Sequence, residues 1–229
     1  MSKAVHILFA STLLCFAADP AWKTKQVADW TAEDAKLVLS DSPWAASVTT
    51  TMAQSNGRMG RGGGISLGIP GIGIGRGRGY PPTGSGGPPP REDSPEVEAP
   101  VVRLRWESAL PIRQAELKAR EVNAPDIDAD SYVIAVYGVP GRYIGGDPKS
   151  LGRQLKNQAA IRRDGQKELK PSSVEIMERD DGPLVLYMFP RKVEIRRNDR
   201  VEFTAQIGPL QFTKSFNVEE MSWQGKLEL

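Results

Sequence analysis

Three aspartates at alternate positions form a constellation with metal-like spacing. Asp126, Asp128 and Asp130 stand two residues apart, so their carboxylates can converge on a hard cation such as calcium. An EF-hand loop places glycine at its sixth position and glutamate at its twelfth, where this chain has Ser131 and Tyr137. We therefore expect an acidic loop that precedes a strand, and we keep calcium as the single cofactor hypothesis.

Paired carboxylates offer a second chemistry, since glycoside hydrolases use two acids that face each other across a groove. The candidate acids are Glu107, Asp180 and Asp181. The Asp-Asp-Gly run that ends at Gly182 is typical of a turn, and an acid at position 107 favours the start of the helix predicted to follow it. No catalytic residue is assigned, and a carbohydrate-active hydrolase is the alternative function.

Histidine and cysteine are confined to a predicted signal peptide, residues 1–18. A positive start at Lys3 precedes an apolar run, Ile7–Leu14, and small residues follow that run, as a cleaved leader requires. The only histidine, His6, and the only cysteine, Cys15, leave with this leader. The mature chain is then expected to lack Cys-His and Ser-His-Asp catalytic groups and disulfide bonds. It is also expected to lack zinc sites built from histidine or cysteine. We expect a secreted or periplasmic protein without a transmembrane anchor.

The balance of charge gives no general signal for a polyanionic partner. The full chain has 30 Lys plus Arg against 28 Asp plus Glu, and loss of Lys3 leaves 29 against 28, a net charge of +1. We therefore expect no nucleic-acid partner.

Residues 46–98 are predicted to be a disordered linker rich in glycine, arginine and proline. Between Ser42 and Arg91 there is no Asp, Glu or Lys, and Gly57–Gly87 holds 14 of the 23 glycines. Glycine loses the most backbone entropy on ordering, and few side chains are present to offset that loss. Arg-Gly steps in this segment suggest an anionic glycan or lipid head group as the partner of an exported protein, but a solubilising linker is the better explanation of them.

Residues 19–45 are predicted to be a short helical docking segment. Thr31 can cap a helix that ends before Pro43, because proline disfavours helical geometry in the residue ahead of it. Trp22, Trp30 and Trp44 are expected to dock this segment onto its own domain or onto another protein, and a ligand-stacking surface is the alternative.

Residues 99–229 are predicted to form an α+β domain with a mostly antiparallel sheet and two helices near its start. The expected helices span about 108–120 and 147–156, and Tyr132–Tyr137 and Leu184–Phe189 are expected as buried strands. Val201 to Ile207 alternates in hydrophobicity before a Gly-Pro turn, which indicates a hairpin. A β-sandwich with inserted helices is the alternative fold.

Both ends of the mature chain carry motifs that resemble a known group. The motifs are Trp30-Thr31-Ala32-Glu33-Asp34, Asp41-Ser42-Pro43-Trp44, Arg105-Trp106-Glu107-Ser108-Ala109-Leu110-Pro111 and Gly225-Lys226-Leu227-Glu228-Leu229. Together they resemble a group of uncharacterised exported bacterial proteins. The first motif is also similar to that of GWxTD-domain proteins, with Asp29 in place of the glycine. The resemblance implies export and no particular reaction.

These observations predict a non-catalytic interaction module of the bacterial cell envelope or exterior. The expected partner is an envelope protein or an anionic glycan.

Overall fold

The computed structural model describes residues 19–53, 99–121, 124–127 and 129–229. The predicted signal peptide and the part of the predicted linker from 54 to 98 lie outside these ranges. The helices are α1 (Ala21–Thr24), α2 (Ala32–Ser40), α3 (Leu110–Ala119) and α4 (Pro148–Asn157). The strands are β1 (Ala45–Thr49), β2 (Thr51–Met52), β3 (Val101–Trp106), β4 (Ser131–Tyr137), β5 (Ala159–Arg163), β6 (Ser173–Met177), β7 (Leu184–Pro190), β8 (Arg200–Ile207), β9 (Leu210–Asn217), β10 (Ser222–Trp223) and β11 (Lys226–Leu227).

The strands form two larger sheets and a small hairpin near the C-terminus. The first sheet has the order β1-β3-β4-β7-β6, the second has the order β2-β9-β8-β5, and β10 pairs with β11. Every pairing between these strands is antiparallel. The chain is therefore α+β with antiparallel sheets and few helices, which confirms the predicted class at this level. Within the described ranges, no helix has the length and apolar character needed to cross a membrane.

The two larger sheets pack face to face, as in the sandwich that was the alternative prediction. The rings of Trp106 on β3 and Phe216 on β9 meet edge to face, with centroids 5.3 Å apart. Tyr187 on β7 and Phe203 on β8 make a similar contact at 5.4 Å. Because side chains alternate across a strand, each sheet contributes one face to this shared core.

The predicted start of the linker at residue 46 is wrong, because residues 45–52 continue as two strands. β1 pairs with β3 in the first sheet and β2 pairs with β9 in the second, so this segment links the two sheets along one side. Between them, the amide and the hydroxyl of Thr50 both donate to the Pro100 carbonyl, at 3.1 and 2.7 Å. A lack of charged residues is common to linkers and buried strands, so composition did not separate the two.

The N-terminal segment packs on its own domain. Asp34 and Thr31 form a reciprocal capping box at the start of α2, which explains why the helix begins there. Trp30 is buried, and the centroid of its ring lies 6.4 Å from that of Trp223. Trp44 is fully buried, and its indole N–H donates to the Glu228 carbonyl at 2.7 Å. The segment therefore belongs to the hydrophobic core of the strands.

Excision of residues 54–98 is expected to leave the domain folded, because both ends of this segment lie within a few residues of the hydrogen-bonded contact between Thr50 and Pro100. Thr49 pairs with Val101, so a replacement of about six residues, which spans roughly 20 Å, can join Ala53 to Ala99. Shortening the loop about eightfold should raise the free energy of unfolding by at most about 2 kcal/mol. Urea denaturation of both chains measures this difference. A decrease of more than about 1 kcal/mol in the free energy of unfolding would show that the excised residues pack on the domain.

Candidate functional site

An open groove runs between α4 and the edge strand β6. Its volume is about 630 Å³. Its walls are ten residues of the helix and of the strand with its approach: Pro148, Lys149, Gly152, Arg153, Lys156, Ser172, Ser173, Val174, Glu175 and Ile176. β6 ends the first sheet, so its outer edge has no neighbouring strand among the described residues. A groove between a helix and a sheet edge is a common place for peptide recognition.

Local sequence explains where α4 begins and how it is held. Asp147 caps the helix by accepting a hydrogen bond from the Ser150 amide at 2.8 Å, and Pro148 occupies the first turn, where its missing N–H costs nothing. Leu155 points into the core. At Gly152 an added Cβ would lie 3.1 Å from the Val174 carbonyl oxygen, so glycine permits the close approach of helix and strand.

The helical wall of the groove is basic. Lys149, Arg153 and Lys156 follow one another at intervals of four and three residues, which places them on one face of α4. Lys156 donates to the Ser172 carbonyl at 2.7 Å. Lys149 and Arg153 are exposed, and neither forms an ion pair with any described residue. Glu175 is the one acid among the ten lining residues, so the groove carries a net positive charge.

A second polar feature, the buried polar cluster, consists of Arg105, Glu107, Glu116, Glu121 and Tyr137. Arg105 is 4 % exposed. Its guanidinium donates to both carboxylate oxygens of Glu121, at 2.9 and 3.2 Å, and its Nε–H donates to a backbone carbonyl at the end of α2. Its Cζ lies 4.4 Å from the ring centroid of Tyr137, within the range of a cation–π contact. This arginine therefore ties β3 to α2, to the chain after α3 and to β4.

Two carboxyl groups meet in the buried polar cluster. Glu107 is fully buried and accepts a hydrogen bond from the Tyr137 hydroxyl at 2.7 Å. Oε2 of Glu107 and Oε1 of Glu116 are also buried, and neither has a hydrogen-bond partner by strict geometry within the described chain. Carboxylates only accept hydrogen bonds, so a proton held by Glu116 supplies the donor that joins the pair.

Burial, followed by the hydrogen bond and the negative charge of Glu107, raises the pKa of Glu116 to about 10. The charge of Arg105 opposes this rise but does not cancel it. Burial likewise raises the pKa of Tyr137. Glu116 is therefore protonated at neutral pH, and the cluster contains a neutral acid that donates to a neighbouring carboxylate.

Replacement of Glu116 by glutamine is expected to change how stability depends on pH. The unfolded chain releases the Glu116 proton above its ordinary pKa of 4.5, whereas the folded protein keeps it to about 10. Unfolding in this window therefore releases a proton, and the wild type should lose about 1.4 kcal/mol of stability per pH unit as pH rises.

Glu116→Gln removes that loss while keeping a donor for Glu107, so the two proteins should differ most near pH 9 and least below pH 5. Urea denaturation at several pH values measures the slopes. The exposed Glu219→Gln variant is the control and should follow the wild type. Parallel curves for wild type and Glu116→Gln would contradict the raised pKa.

Among the described residues, the structure does not bring the predicted site residues into one site. Asp126 and Asp130 are exposed, and Asp128 lies outside the described residues. No group of three acids, histidines or cysteines suited to a metal ion occurs in the described part of the chain. Asp180 and Asp181 are exposed between β6 and β7, and Asp181 pairs with the Arg179 guanidinium at 3.1 Å. Glu107 is buried in the polar cluster, so these three candidate acids do not share an open groove.

Sequence reasoning overlooked Glu116 and the basic face of α4. Glu116 lies four residues after the buried Ile112, on the side of α3 that faces the protein, and an acid in that position is a signal for a polar partner inside. The spacing of Lys149, Arg153 and Lys156 was also visible in the sequence. It did not show which surface would lie next to that face.

Comparison of the chain with protein-family models, with curated proteins and with solved structures gives no match.

Proposed function

We propose that this protein is a non-catalytic interaction module of the bacterial cell envelope or exterior. It binds an extended, acidic segment of a partner protein in the groove between α4 and β6. The observation that carries the proposal is the open basic wall formed by Lys149, Arg153 and Lys156 beside a sheet edge. Export by a signal peptide at residues 1–18 is part of the same proposal.

The mode of binding follows from the contact between Gly152 and Val174. Helix and strand already touch there, so a partner strand cannot insert between them without moving α4. A partner must instead lie in the groove, where Val174 and Ile176 present partly buried apolar side chains. Side-chain contacts, rather than added strand hydrogen bonds, therefore supply the affinity.

The chemistry of the partner follows from the charge of the groove. Lys149 and Arg153 are exposed and form no ion pair with any described residue, so an incoming carboxylate replaces no existing ion pair. Each exposed pair formed contributes only about 0.2–1 kcal/mol, and several such pairs give a weak, salt-sensitive complex with a fast association rate. An acidic segment with interspersed apolar residues matches both walls.

The buried polar cluster supports a role without catalysis. Glu107 and Glu116 are 0 % and 4 % exposed, and their neighbours Arg105 and Tyr137 are equally enclosed. A substrate cannot reach these carboxyl groups while α3 stays packed on the first sheet. Their perturbed chemistry is explained by the packing of helix on sheet, which requires no reaction.

A binding measurement with a defined probe tests the proposal. The probe is a fluorescent peptide of alternating glutamate and leucine, and its matched control replaces each glutamate by glutamine. The double variant Lys149→Glu/Arg153→Glu converts attraction into repulsion and should weaken binding of the acidic peptide at least about tenfold, or roughly 1.4 kcal/mol. Lys36→Glu/Arg113→Glu reverses two exposed charges on α2 and α3 and should bind like the wild type.

Equal binding by the two double variants would contradict the groove as the binding site. If a sulfated glycan binds and the acidic peptide does not, the partner of the groove is an anionic glycan and the proposed protein partner is wrong. The same three proteins can then be cross-linked in the envelope fraction of the source cells, where partners of the groove should be lost from the Lys149→Glu/Arg153→Glu variant alone.

A further inference from the structure

A second hollow lies between the N-terminal segment and the end of β9. Its volume is about 430 Å³. It is lined by residues of the two elements and of the turn after β9: Pro20, Trp22, Lys23, Asp41, Ser42, Pro43, Lys214, Ser215, Phe216, Asn217 and Glu220. None of these residues lines the groove between α4 and β6. The volume falls within the range of sites for small organic ligands.

One wall of this hollow is aromatic and held in place. Trp22 is half-buried, and its ring meets Trp44 edge to face, with centroids 6.5 Å apart and planes at 81°. Trp44 is itself fully buried and hydrogen-bonded to the Glu228 carbonyl. The ring of Trp22 is therefore supported by the core, and a ligand that stacks on it pays little for ordering the side chain.

The facing wall is polar and partly oriented. The Asn217 side-chain N–H donates to Oε1 of Glu220 at 2.9 Å, which sets the planes of the amide and the carboxylate. The amide oxygen of Asn217 and the second carboxylate oxygen of Glu220 remain as acceptors. Asp41 adds a third acceptor group from the end of α2. Several acceptors around a small hollow suit a ligand that carries many hydroxyl groups.

The charges of the hollow balance. Lys23 and Lys214 oppose Asp41 and Glu220, so no net charge selects a polyanion or a polycation. This distinguishes the hollow from the basic groove beside α4. A purely apolar ligand is also disfavoured, because it would leave these polar groups without partners. A neutral ligand with an apolar face and a hydroxyl-bearing rim satisfies both walls.

We infer that this hollow binds a neutral oligosaccharide. One sugar ring stacks its C–H face on Trp22, and its hydroxyl groups donate to Asp41, Asn217 and Glu220. The site binds the sugar without cleaving it, and it acts independently of the groove between α4 and β6.

Titration of the full mature chain with cellotriose, maltotriose and chitotriose, followed by calorimetry and by NMR of the indole N–H groups, tests this inference. At least one trisaccharide should bind saturably with a Kd of about 1 mM, which corresponds to roughly −4 kcal/mol. Trp22→Ala and Asn217→Ala should each weaken that binding at least about tenfold. Leu117→Ala and Asn157→Ala, which change exposed residues elsewhere, should not weaken it.

Asp41→Asn keeps the inference testable if Trp22→Ala fails to fold, because Asp41 is exposed and its side chain supports no described contact. Absence of binding by all three trisaccharides up to about 10 mM would overturn the inference. Unchanged binding in both Trp22→Ala and Asn217→Ala would overturn it as well. Recovery of the intact trisaccharide after incubation supports binding without cleavage. Release of shorter sugars would show that the protein is a hydrolase and would overturn the inference that the site does not cleave the sugar.

Discussion

Replacement of Arg105 by methionine is expected to lower the free energy of unfolding by about 3–5 kcal/mol, since it removes one partner from a buried ionic network. The guanidinium makes three hydrogen bonds, to the Leu39 carbonyl and to both oxygens of Glu121. Glu121 is partly exposed and can regain water, but the fully buried Glu107 would lose the nearby positive charge with which it interacts. The largest part of the loss therefore arises at Glu107.

A double variant separates this cause from simple loss of packing. Glu107→Gln keeps an acceptor for the Tyr137 hydroxyl and removes the negative charge, so Arg105→Met/Glu107→Gln should be more stable than the sum of the single changes predicts. Urea denaturation at pH 7 measures the four proteins of this cycle. Strict additivity would show that Arg105 acts by packing alone and would contradict the electrostatic account.

Trp44→Ala is expected to cost about 3–5 kcal/mol, the usual range for removal of a fully buried aromatic side chain. The change opens a cavity beside Trp22, leaves the Glu228 carbonyl without its indole donor and loosens the contact between α2 and the strands. Trp44→Phe keeps most of the ring and should cost clearly less. Thermal and urea unfolding measure both variants.

The matched comparison for Trp44 is the exposed Leu37→Ala variant on α2, which should stay within about 0.5 kcal/mol of the wild type. A chain that begins at residue 46 should fail to fold, because it lacks α2, the start of β1 and two buried tryptophans. A stable, cooperatively folding chain from residue 46 would contradict the finding that the N-terminal segment belongs to the core.

Several strands of the main domain were predictable, because their signals are local. The alternation from Val201 to Ile207 corresponds to β8, and the Gly-Pro turn after it leads into β9. Thr31 caps α2 as expected. The division of the strands into two sheets was not predictable in the same way, since alternation states which face of a strand is buried and not which strand lies beside it.

The candidate sites were harder to predict for the same reason. Glu107 was recognised as an acid near a helix start, but its pairing with Glu116 and Tyr137 depends on how α3 lies on the first sheet. The boundary at residue 46 was misplaced because β1 is stabilised by its pairing with β3, which begins more than 50 residues later in the chain. The composition of a segment indicates its own conformational preference. It contains no information about a distant strand that pairs with the segment in the folded protein.

The sequence offers two candidate chemistries, one from paired carboxylates and one from an aspartate-rich loop. Residue types and their spacing were enough to predict the Thr31 cap of α2 and the mostly antiparallel strands. Tertiary structure alone decided that Glu107 is enclosed, that Asp126 and Asp130 stay exposed, and that α4 lies along β6. Local patterns reflect the conformational preferences of neighbouring residues, whereas burial, ion pairing and surface shape depend on contacts between segments far apart in the chain.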